Sequence, residues 1–420
     1  MKTLKKLSLL YVLLLSAFTA LIVLVFCLPA EPIKRHAAES ALQVGKEGVW
    51  WKPGGVFLFQ VDNMTDCIMM GISACDNQKS PVKAAMLDER AVADDPSMPA
   101  NYLIIDKVLL QDATGGHGIN TVYEDYARYW HGYQVMLRPL LCVLNYRQIR
   151  IANYILLSLL AIGVVAMLAR KTGKRTAATF TATLLLSNFM IVPMAMQFST
   201  CYYIAFASML LLLCRPALAR NGANMAMLFF AIGGVCSYMD FLTTPVITLG
   251  LPLTVLCLLD THTRLADLLR LCASWTAGYG LLWASKWIVA WIATGHNVAD
   301  SAIHSAETRV GSTIVFGGKE MPMTDFMGML LEKTAAHVGW TTIIIATAAM
   351  TTAAFIAIYR TRRTIRQNSC LVAVALMPLI WFAVMKNHSI QHIFFTWRDW
   401  ILTLWVALLL VMPRQKPCKL

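Results

Sequence analysis

Long apolar stretches alternate with short polar ones along most of this 420-residue chain. A helix needs about 20 mostly apolar residues to cross about 30 Å of hydrocarbon. Ten stretches meet or approach this requirement, so the pattern predicts an all-α polytopic membrane protein with about ten transmembrane helices. Their approximate bounds are 7–28, 151–169, 177–196, 198–214, 222–240, 242–259, 271–294, 337–358, 370–386 and 398–413.

Composition supports a membrane protein. Hydrophobic residues make up 58% of the chain and charged residues 14%, against about 25% charged residues in an ordinary globular protein. This balance excludes a disordered chain, which is too polar to bury a core. The net charge of +13 is spread in small clusters, so we predict membrane lipids and no nucleic acid as partners.

Three regions follow from the pattern: a first transmembrane helix at 1–28, an extracytoplasmic segment at 29–150, and a nine-helix transmembrane bundle at 151–420. The first stretch could instead be a signal peptide, but it is longer than the usual apolar region of one. The second region is too long for a loop without structure of its own. It contains Cys67 and Cys75, which either form a disulfide in an oxidising exterior or remain a pair of free thiols.

The distribution of Lys and Arg predicts the orientation, because short cytoplasmic loops are enriched in them. With both termini cytoplasmic, alternate loops hold nearly all the cations, and the opposite loops face the outside of a plasma membrane. The predicted inner cations are Lys2, Lys5, Lys6, Arg170, Lys171, Lys174, Arg175, Arg215, Arg220, Arg264, Arg270, Arg360, Arg362, Arg363, Arg366, Arg414, Lys416 and Lys419.

The end of the long segment, from Tyr123 to Asn145, has the pattern of an interfacial amphipathic helix. One stripe of such a helix is aromatic, and another contains Arg128 and His131. Aromatic rings anchor at headgroup depth, while cations face lipid phosphates. Arg128 and His131 bind either ordinary headgroups or a substrate phosphate, since both ligands need the same partners.

A second polar concentration lies between the last two apolar stretches. His388 and His392 are four residues apart, so one helical turn would place both on one face. Lys386 and Arg398 break the charge bias there. Snorkelling side chains at two helix ends would explain the cations, but we favour a substrate-binding site, because a short external loop has no other evident reason to carry two cations and two imidazoles. Two histidines without a visible third ligand do not define a metal site.

Further candidates are scattered on the predicted outer side. Lys286 lies inside an apolar stretch, where a charge is costly and usually functional. Arg309 falls in the loop 295–336, and Asp240 lies at the end of a predicted helix. Asp62 and Asp66 bracket a short polar string within an otherwise apolar stretch.

This layout resembles the GT-C superfamily of integral-membrane glycosyltransferases: a first span, a long external segment with acidic residues, many spans with short loops, and a basic patch near the end. The resemblance implies a polyprenyl-phosphate-linked sugar as donor, an extracytoplasmic active face and a catalytic carboxylate in the first external segment. Asp62 or Asp66 would fill that place, with Glu124 and Asp125 as the alternative. In the usual GT-C pattern an adjacent acidic pair follows directly after the first span. This chain departs from the pattern, because no such pair stands there.

The implied function is transfer of a sugar from polyprenyl phosphate to an unknown glycan or lipid acceptor. A carboxylate takes the proton of the acceptor hydroxyl, and cations stabilise the departing phosphate. No cofactor is predicted with certainty, although a divalent metal remains open. The alternatives are a polytopic lipid or solute transporter or flippase, and a membrane O-acyltransferase. The substrate-binding candidates are Arg128, His131, Lys286, Arg309, Lys386, His388, His392 and Arg398.

Overall fold

The computed structural model describes residues 2–75, 79–94, 104–240, 242–260, 262–310, 314–316, 319–359 and 362–411. This part of the chain is almost entirely helical, as the apolar pattern predicts, with two antiparallel sheets of two strands each. The carboxy-terminal cations used above for orientation lie outside the described residues.

The first apolar helix is followed by short helices and a small sheet. These elements enclose an apolar core of their own, which includes Ile33, Val44, Met70 and Leu141. Cys67 is a buried free thiol, so the structure contains no Cys67–Cys75 disulfide. The elements are α1 (Lys2–Phe26), α2 (Ala30–Glu47), the 3-10 turns Pro53–Gly55 and Phe57–Phe59, α3 (Asn63–Ala74), α4 (Pro81–Leu87), β1 (Arg90–Ala93), α5 (Ile105–Thr114), β2 (Thr121–Glu124) and α6 (Gln134–Leu141).

The predicted interfacial helix from Tyr123 to Asn145 is wrong. Its start is the strand β2, and only α6 is helical. The chain between them turns at His131, which has a φ of 50°, and Gly132 packs so closely on Tyr238 that a Cβ would lie 2.4 Å from that ring. Trp130 is buried and donates its indole N–H to the Leu282 carbonyl at 2.6 Å. Tertiary contacts therefore replace the aromatic membrane anchor.

The rest of the chain forms the helix bundle. Its helices follow the apolar stretches, and the described polar elements lie between them. They are α7 (Tyr146–Lys171), α8 (Lys174–Leu186), α9 (Met196–Cys214), α10 (Gly222–Met239), α11 (Pro245–Leu259), α12 (Leu265–Thr294), α13 (Ala299–Val310), β3 (Ile314–Phe316), β4 (Lys319–Met321), α14 (Met323–Val338), α15 (Trp340–Tyr359), α16 (Arg362–Val384), α17 (Lys386–Gln391), α18 (Ile393–Thr396) and α19 (Ile401–Val411), with 3-10 turns at Phe189–Met194, Pro216–Arg220 and Trp397–Trp400.

Five helical segments among the described residues are long and apolar enough to cross a membrane, and three shorter ones are apolar. The predicted stretch 177–196 is interrupted, because α8 ends at Leu186 and a 3-10 turn containing Pro193 follows. The ten-span count therefore stays a prediction. The five long segments are Thr3–Phe26, Tyr146–Lys171, Met196–Cys214, Gly222–Met239 and Ile393–Val411; the shorter ones are Pro245–Leu259, Trp340–Ala349 and Asn368–Val384.

Helices α10 and α12 approach each other backbone to backbone. A Cβ on Gly233 would lie 2.1 Å from the Trp275 carbonyl oxygen, and a Cβ on Gly278 would lie 2.1 Å from that of Phe230. Small residues permit such close contact, which is common between membrane helices. This contact fixes the end of α10 relative to α12.

The segment from α2 to α6 covers one end of the bundle. Asp66 of α3 accepts a hydrogen bond from Tyr146 at the start of α7, and Arg138 of α6 donates to the Val25 carbonyl near the end of α1. The polar loops that follow α10 and α16 reach the same end, where His388 donates to the Leu242 carbonyl. The candidate site residues therefore collect at this end, and Lys174 starts a helix at the other.

Candidate functional site

Asp62 is the N-cap of α3 and is fully buried. Its Oδ1 accepts from the Thr65 N–H at 2.9 Å, and its Oδ2 accepts from the Thr65 hydroxyl at 2.5 Å. Burial raises the pKa of Asp62 to about 7; the Thr65 hydrogen bonds and the Arg398 charge lower it, and Asp66 raises it. A carboxylate offers about four acceptor sites, so Asp62 can still accept a substrate proton.

Asp66 lies one turn further along α3 and is occupied by structural partners. Its carboxylate accepts from the Tyr146 hydroxyl at 2.6 Å and from the amides of Met196 and Gln197 at 2.9 and 3.0 Å. These amides open α9, where a negative charge is favourable. Asp66 therefore fastens α3 to α7 and α9, and Asp62 is the better candidate for chemistry.

Arg398 lies in the turn before α19 and is 2% exposed. Its Nη1 donates to the Phe394 carbonyl at 2.9 Å, and its guanidinium lies 3.7 Å from the centre of the Phe198 ring. Its Nε has no hydrogen-bond partner in the described part of the chain. Its charge interacts with Asp62 and with Tyr202. The fold therefore brings Arg398 within electrostatic range of Asp62, a residue far from it in the sequence.

Asp399, next to Arg398, is a buried acidic residue in the turn at the start of an apolar helix. It is fully buried, and neither carboxylate oxygen has a hydrogen-bond partner among the described residues. The charge of Asp240 acts on Asp399, and the charge of Asp399 acts on Tyr202, whose hydroxyl is likewise buried and unpartnered within the described ranges. Burying a carboxylate without partners is costly, which points to a ligand, an ion or a proton at this position.

The loop after α10 connects these groups to the histidines. The Asp240 carboxylate accepts the Thr243 N–H at 2.8 Å and also the Thr243 hydroxyl. Leu242 has a φ of 73°, a strained conformation for a residue with a side chain, and such strain concentrates at functional sites. The Leu242 carbonyl accepts from His388 Nε2 at 2.7 Å.

His388 and His392 lie on one face, as their spacing predicts, with ring centres 4.8 Å apart. Burial holds the pKa of His388 well below its usual range, helped by His392 and Arg309. Since Nε2 donates to Leu242, Nδ1 of the neutral ring is an acceptor, and it has no partner in the described structure. His388 can therefore hold a substrate hydroxyl, but it does not supply a charge to a phosphate.

Arg128 and Arg309 share one aromatic platform. Their guanidinium carbons lie 5.7 and 5.4 Å from the centre of the Tyr129 ring, and Arg309 also donates to its hydroxyl. Arg128 lies 4.2 Å from the Tyr126 ring as well. Within the described ranges, neither arginine forms an ion pair with a carboxylate. Two half-buried guanidinium groups without a counter-charge could hold an anion at this position.

No protein-family model, curated protein or solved structure matches this chain. Its function must therefore be argued from the site.

Two predicted substrate-binding residues are occupied by structural partners. Both ring nitrogens of His131 make hydrogen bonds of 2.9 Å, to the Tyr133 hydroxyl and the Tyr126 carbonyl. Burial lowers the pKa of His131 to about 3, so this ring stays neutral. Lys286 forms an ion pair of 2.7 Å with Asp88, and both side chains are fully buried. The intramembrane charge predicted to be functional thus joins α4 to α12.

Lys386, the last candidate, is half-buried at the start of α17. The sequence did not identify Asp399, Tyr202 or Asp88 as site or partner residues. Asp399 did carry a signal, because it is an acidic residue inside an apolar run directly after Arg398. Tyr202 and Asp88 carried none, since only the fold gives them their neighbours.

One group of donors could hold a metal ion. A thiol each from Cys201 and Cys236 and a carboxylate oxygen of Asp240 all lie within 4.8 Å of one another, and all three residues are buried. The two predicted histidines do not belong to this group.

Proposed function

We propose that this protein transfers a sugar from a polyprenyl-phosphate donor to an acceptor hydroxyl on the extracytoplasmic face of the plasma membrane. The observation that carries the proposal is a buried carboxylate, Asp62, whose two oxygens accept from Thr65 and whose charge interacts with the buried guanidinium of Arg398 at one end of an apolar helix bundle. The layout's resemblance to the GT-C superfamily supports it.

Asp62 serves as the general base. A base works best when its pKa lies near the working pH, and the pKa of Asp62 is raised to about 7 by burial. Loss of the acceptor proton to Asp62 makes the hydroxyl oxygen a nucleophile, which attacks the anomeric carbon as the bond to the phosphate oxygen breaks. Arg398 stabilises the ionised form of Asp62 before the transfer.

Arg128 and Arg309 bind the donor phosphate. A guanidinium offers paired N–H donors that match phosphate oxygens and stays charged at any working pH. Both arginines lie on the Tyr129 ring without a carboxylate partner in the described structure. Negative charge that develops on the departing phosphate strengthens this interaction, as catalysis requires.

His388 positions a hydroxyl group. Its Nδ1 is a buried acceptor, and the strained Leu242 carbonyl fixes the tautomer. The hydroxyl belongs either to the sugar or to the acceptor, and both are polar groups that need a partner when they are enclosed.

The test measures phosphate binding and turnover separately. Calorimetry with a short-chain prenyl monophosphate should show affinity reduced about ten- to a hundredfold in Arg128→Ala and in Arg309→Ala, because each loses a charge-assisted hydrogen bond of about 1.5–3 kcal/mol. Arg398→Ala should retain this binding but lose turnover of a radiolabelled prenyl-phosphate hexose in vesicles. Arg175→Ala, in an exposed residue of α8, is the matched control.

The same vesicles distinguish the rival classes. Labelled acyl-CoA in place of the lipid-linked sugar tests an O-acyltransferase, and movement of a labelled lipid without chemistry tests a flippase. Unchanged prenyl-phosphate binding in both Arg128→Ala and Arg309→Ala would remove the proposed phosphate site. Weakened binding in Arg398→Ala alone would instead place the phosphate beside Asp62.

A further inference from the structure

Two cysteines from neighbouring helices meet an acidic residue in the interior. Cys201 belongs to α9, Cys236 to α10, and Asp240 to the loop that follows α10. Their donor atoms lie within 4.8 Å of one another, and none of the three side chains is exposed by more than 2%. The thiols of two separate helices therefore converge on one carboxylate.

A second observation indicates that a cation belongs there. Asp399 is fully buried, neither of its oxygens has a hydrogen-bond partner in the described part of the chain, and the charge of Asp240 acts on it. Two buried carboxylates repel each other strongly at low dielectric. Thr243 contributes two neutral donors to Asp240 and none to Asp399 among the described residues. A bound cation would offset the repulsion.

We propose that Cys201, Cys236 and Asp240 bind a zinc ion, with Asp399 as a nearby negative charge. Thiolate sulfur is a soft ligand that favours zinc over magnesium or calcium. Zinc takes four ligands at about 2.0–2.3 Å; these residues supply three, and a water molecule can take the fourth place. Binding releases the two thiol protons to solvent, so the two thiolates balance the charge of the ion, which then lies as a cation beside Asp240.

The site is separate from the predicted one. The two histidines His388 and His392 lacked a third ligand in the sequence, whereas these donors lie on α9, α10 and the following loop. Zinc here would fasten the start of α9 to the end of α10 and fix the loop that presents the Leu242 carbonyl to His388. Its presence does not depend on which substrate the protein uses.

The experiment measures metal content in the purified full-length chain. Inductively coupled plasma mass spectrometry should find about one zinc per chain after reducing purification. The double variant Cys201→Ser/Cys236→Ser should lose it. Cys257→Ser, which removes another buried cysteine from α11, is the matched control and should retain it.

Two further measurements do not depend on the variants folding. Cobalt added to the metal-free parent should give a sulfur-to-cobalt charge-transfer absorption, and zinc should raise its melting temperature, because a ligand that binds only the folded state stabilises it. Zinc content in the parent no higher than in the double variant, or a Cys201–Cys236 disulfide in the isolated protein, would overturn the proposal.

Discussion

At the residue scale, the buried charged groups divide into those whose hydrogen-bonding atoms have partners in the fold and those with atoms that have none among the described residues. Asp66 and Lys286 have close partners on other elements, and their burial is explained by the packing. Asp399 and Arg398 retain atoms without partners among the described residues. Buried polar atoms without hydrogen-bond partners are costly, so Asp399 and Arg398 mark the candidate functional site.

Asp62→Asn is expected to abolish transfer and to leave the fold intact. Asparagine is as good an N-cap as aspartate, so α3 keeps its start, but an amide cannot take a proton. The loss of a general base lowers turnover about a hundredfold or more. Asp62→Asn and the parent should show equal prenyl-phosphate affinity in calorimetry; full turnover in Asp62→Asn would move the base to another residue.

The pH dependence of turnover and of stability in the parent protein follows from the Asp62 carboxyl group. Its pKa is about 7 in the folded protein and about 3.9 in an unfolded chain. Turnover should fall as the pH drops below about 7, because the base is then protonated. The folded state binds this proton more tightly, so this group's contribution to stability declines as the pH rises from about 4 to about 7. A rate that is flat from pH 5 to 8 would contradict the assignment.

The buried ion pair between Lys286 and Asp88 gives a third prediction. Lys286→Met leaves the Asp88 charge buried without its partner, which typically costs about 3–5 kcal/mol. The double variant Lys286→Met/Asp88→Asn should recover part of the loss in thermal unfolding, because it removes the unpaired charge and asparagine keeps the left-handed conformation of this residue, which has a φ of 49°. Lys79→Met, which breaks a partly exposed pair with Glu89, should cost less than about 1 kcal/mol. Equal melting temperatures for Lys286→Met and the parent would mean that the pair does not stabilise the fold.

At the scale of elements, close helix contacts decide which polar groups can meet. The α10–α12 contact depends on glycine at two positions where a side chain would overlap a carbonyl oxygen. The end of α10 in turn carries Cys236 and leads directly into the Asp240 loop. Packing between apolar helices thus determines the geometry of the polar site.

Gly233→Ala is expected to force α10 and α12 apart. Overpacking typically costs about 1–3 kcal/mol, and the obstacle here is backbone, which cannot rotate away as a side chain can. Gly280→Ala in α12 is the control, since nothing lies within 4 Å of its added Cβ. Thermal unfolding in detergent should show a lower melting temperature for the first variant only, and an equal effect of both would refute the close packing.

At the scale of the whole molecule, polarity is concentrated at one end of a mostly apolar bundle. The segment from α2 to α6 packs on that end through Asp66, which accepts hydrogen bonds from α7 and α9. The basic residues around Lys174 lie at the opposite end. We therefore expect the chain to cross the membrane with its site outside and its basic loops inside, as the charge bias indicates.

Cysteine labelling tests this orientation. Single cysteines at the exposed positions His117 and Gln391 should react with an impermeant reagent in intact cells, whereas those at Lys174 and His262 should react only after permeabilisation. The background replaces the exposed Cys27 and Cys214 by serine. If positions 174 and 391 react from the same side, the proposed extracytoplasmic site is wrong.

The sequence by itself determined the helical class, the apolar segments and the face shared by His388 and His392. These properties are local, because apolar periodicity and residue spacing act within one helix. The sequence also identified Asp62, Arg128, Arg309 and Arg398 as candidates, since charge in an apolar setting is recognisable without a structure.

Only the tertiary structure decided which of these groups act together. Lys286 forms an ion pair with Asp88, and the charge of Arg398 acts on Asp62, in both cases across long stretches of chain, so no local pattern records either interaction. The predicted helix from Tyr123 to Asn145 failed for the same reason: Gly132 packs on Tyr238, and Trp130 bonds to α12, and these distant contacts outweigh local helix preference. Burial in this fold, rather than residue type, left the Asp399 carboxylate without a hydrogen-bond partner among the described residues. Burial also made His131 an ordinary neutral core residue.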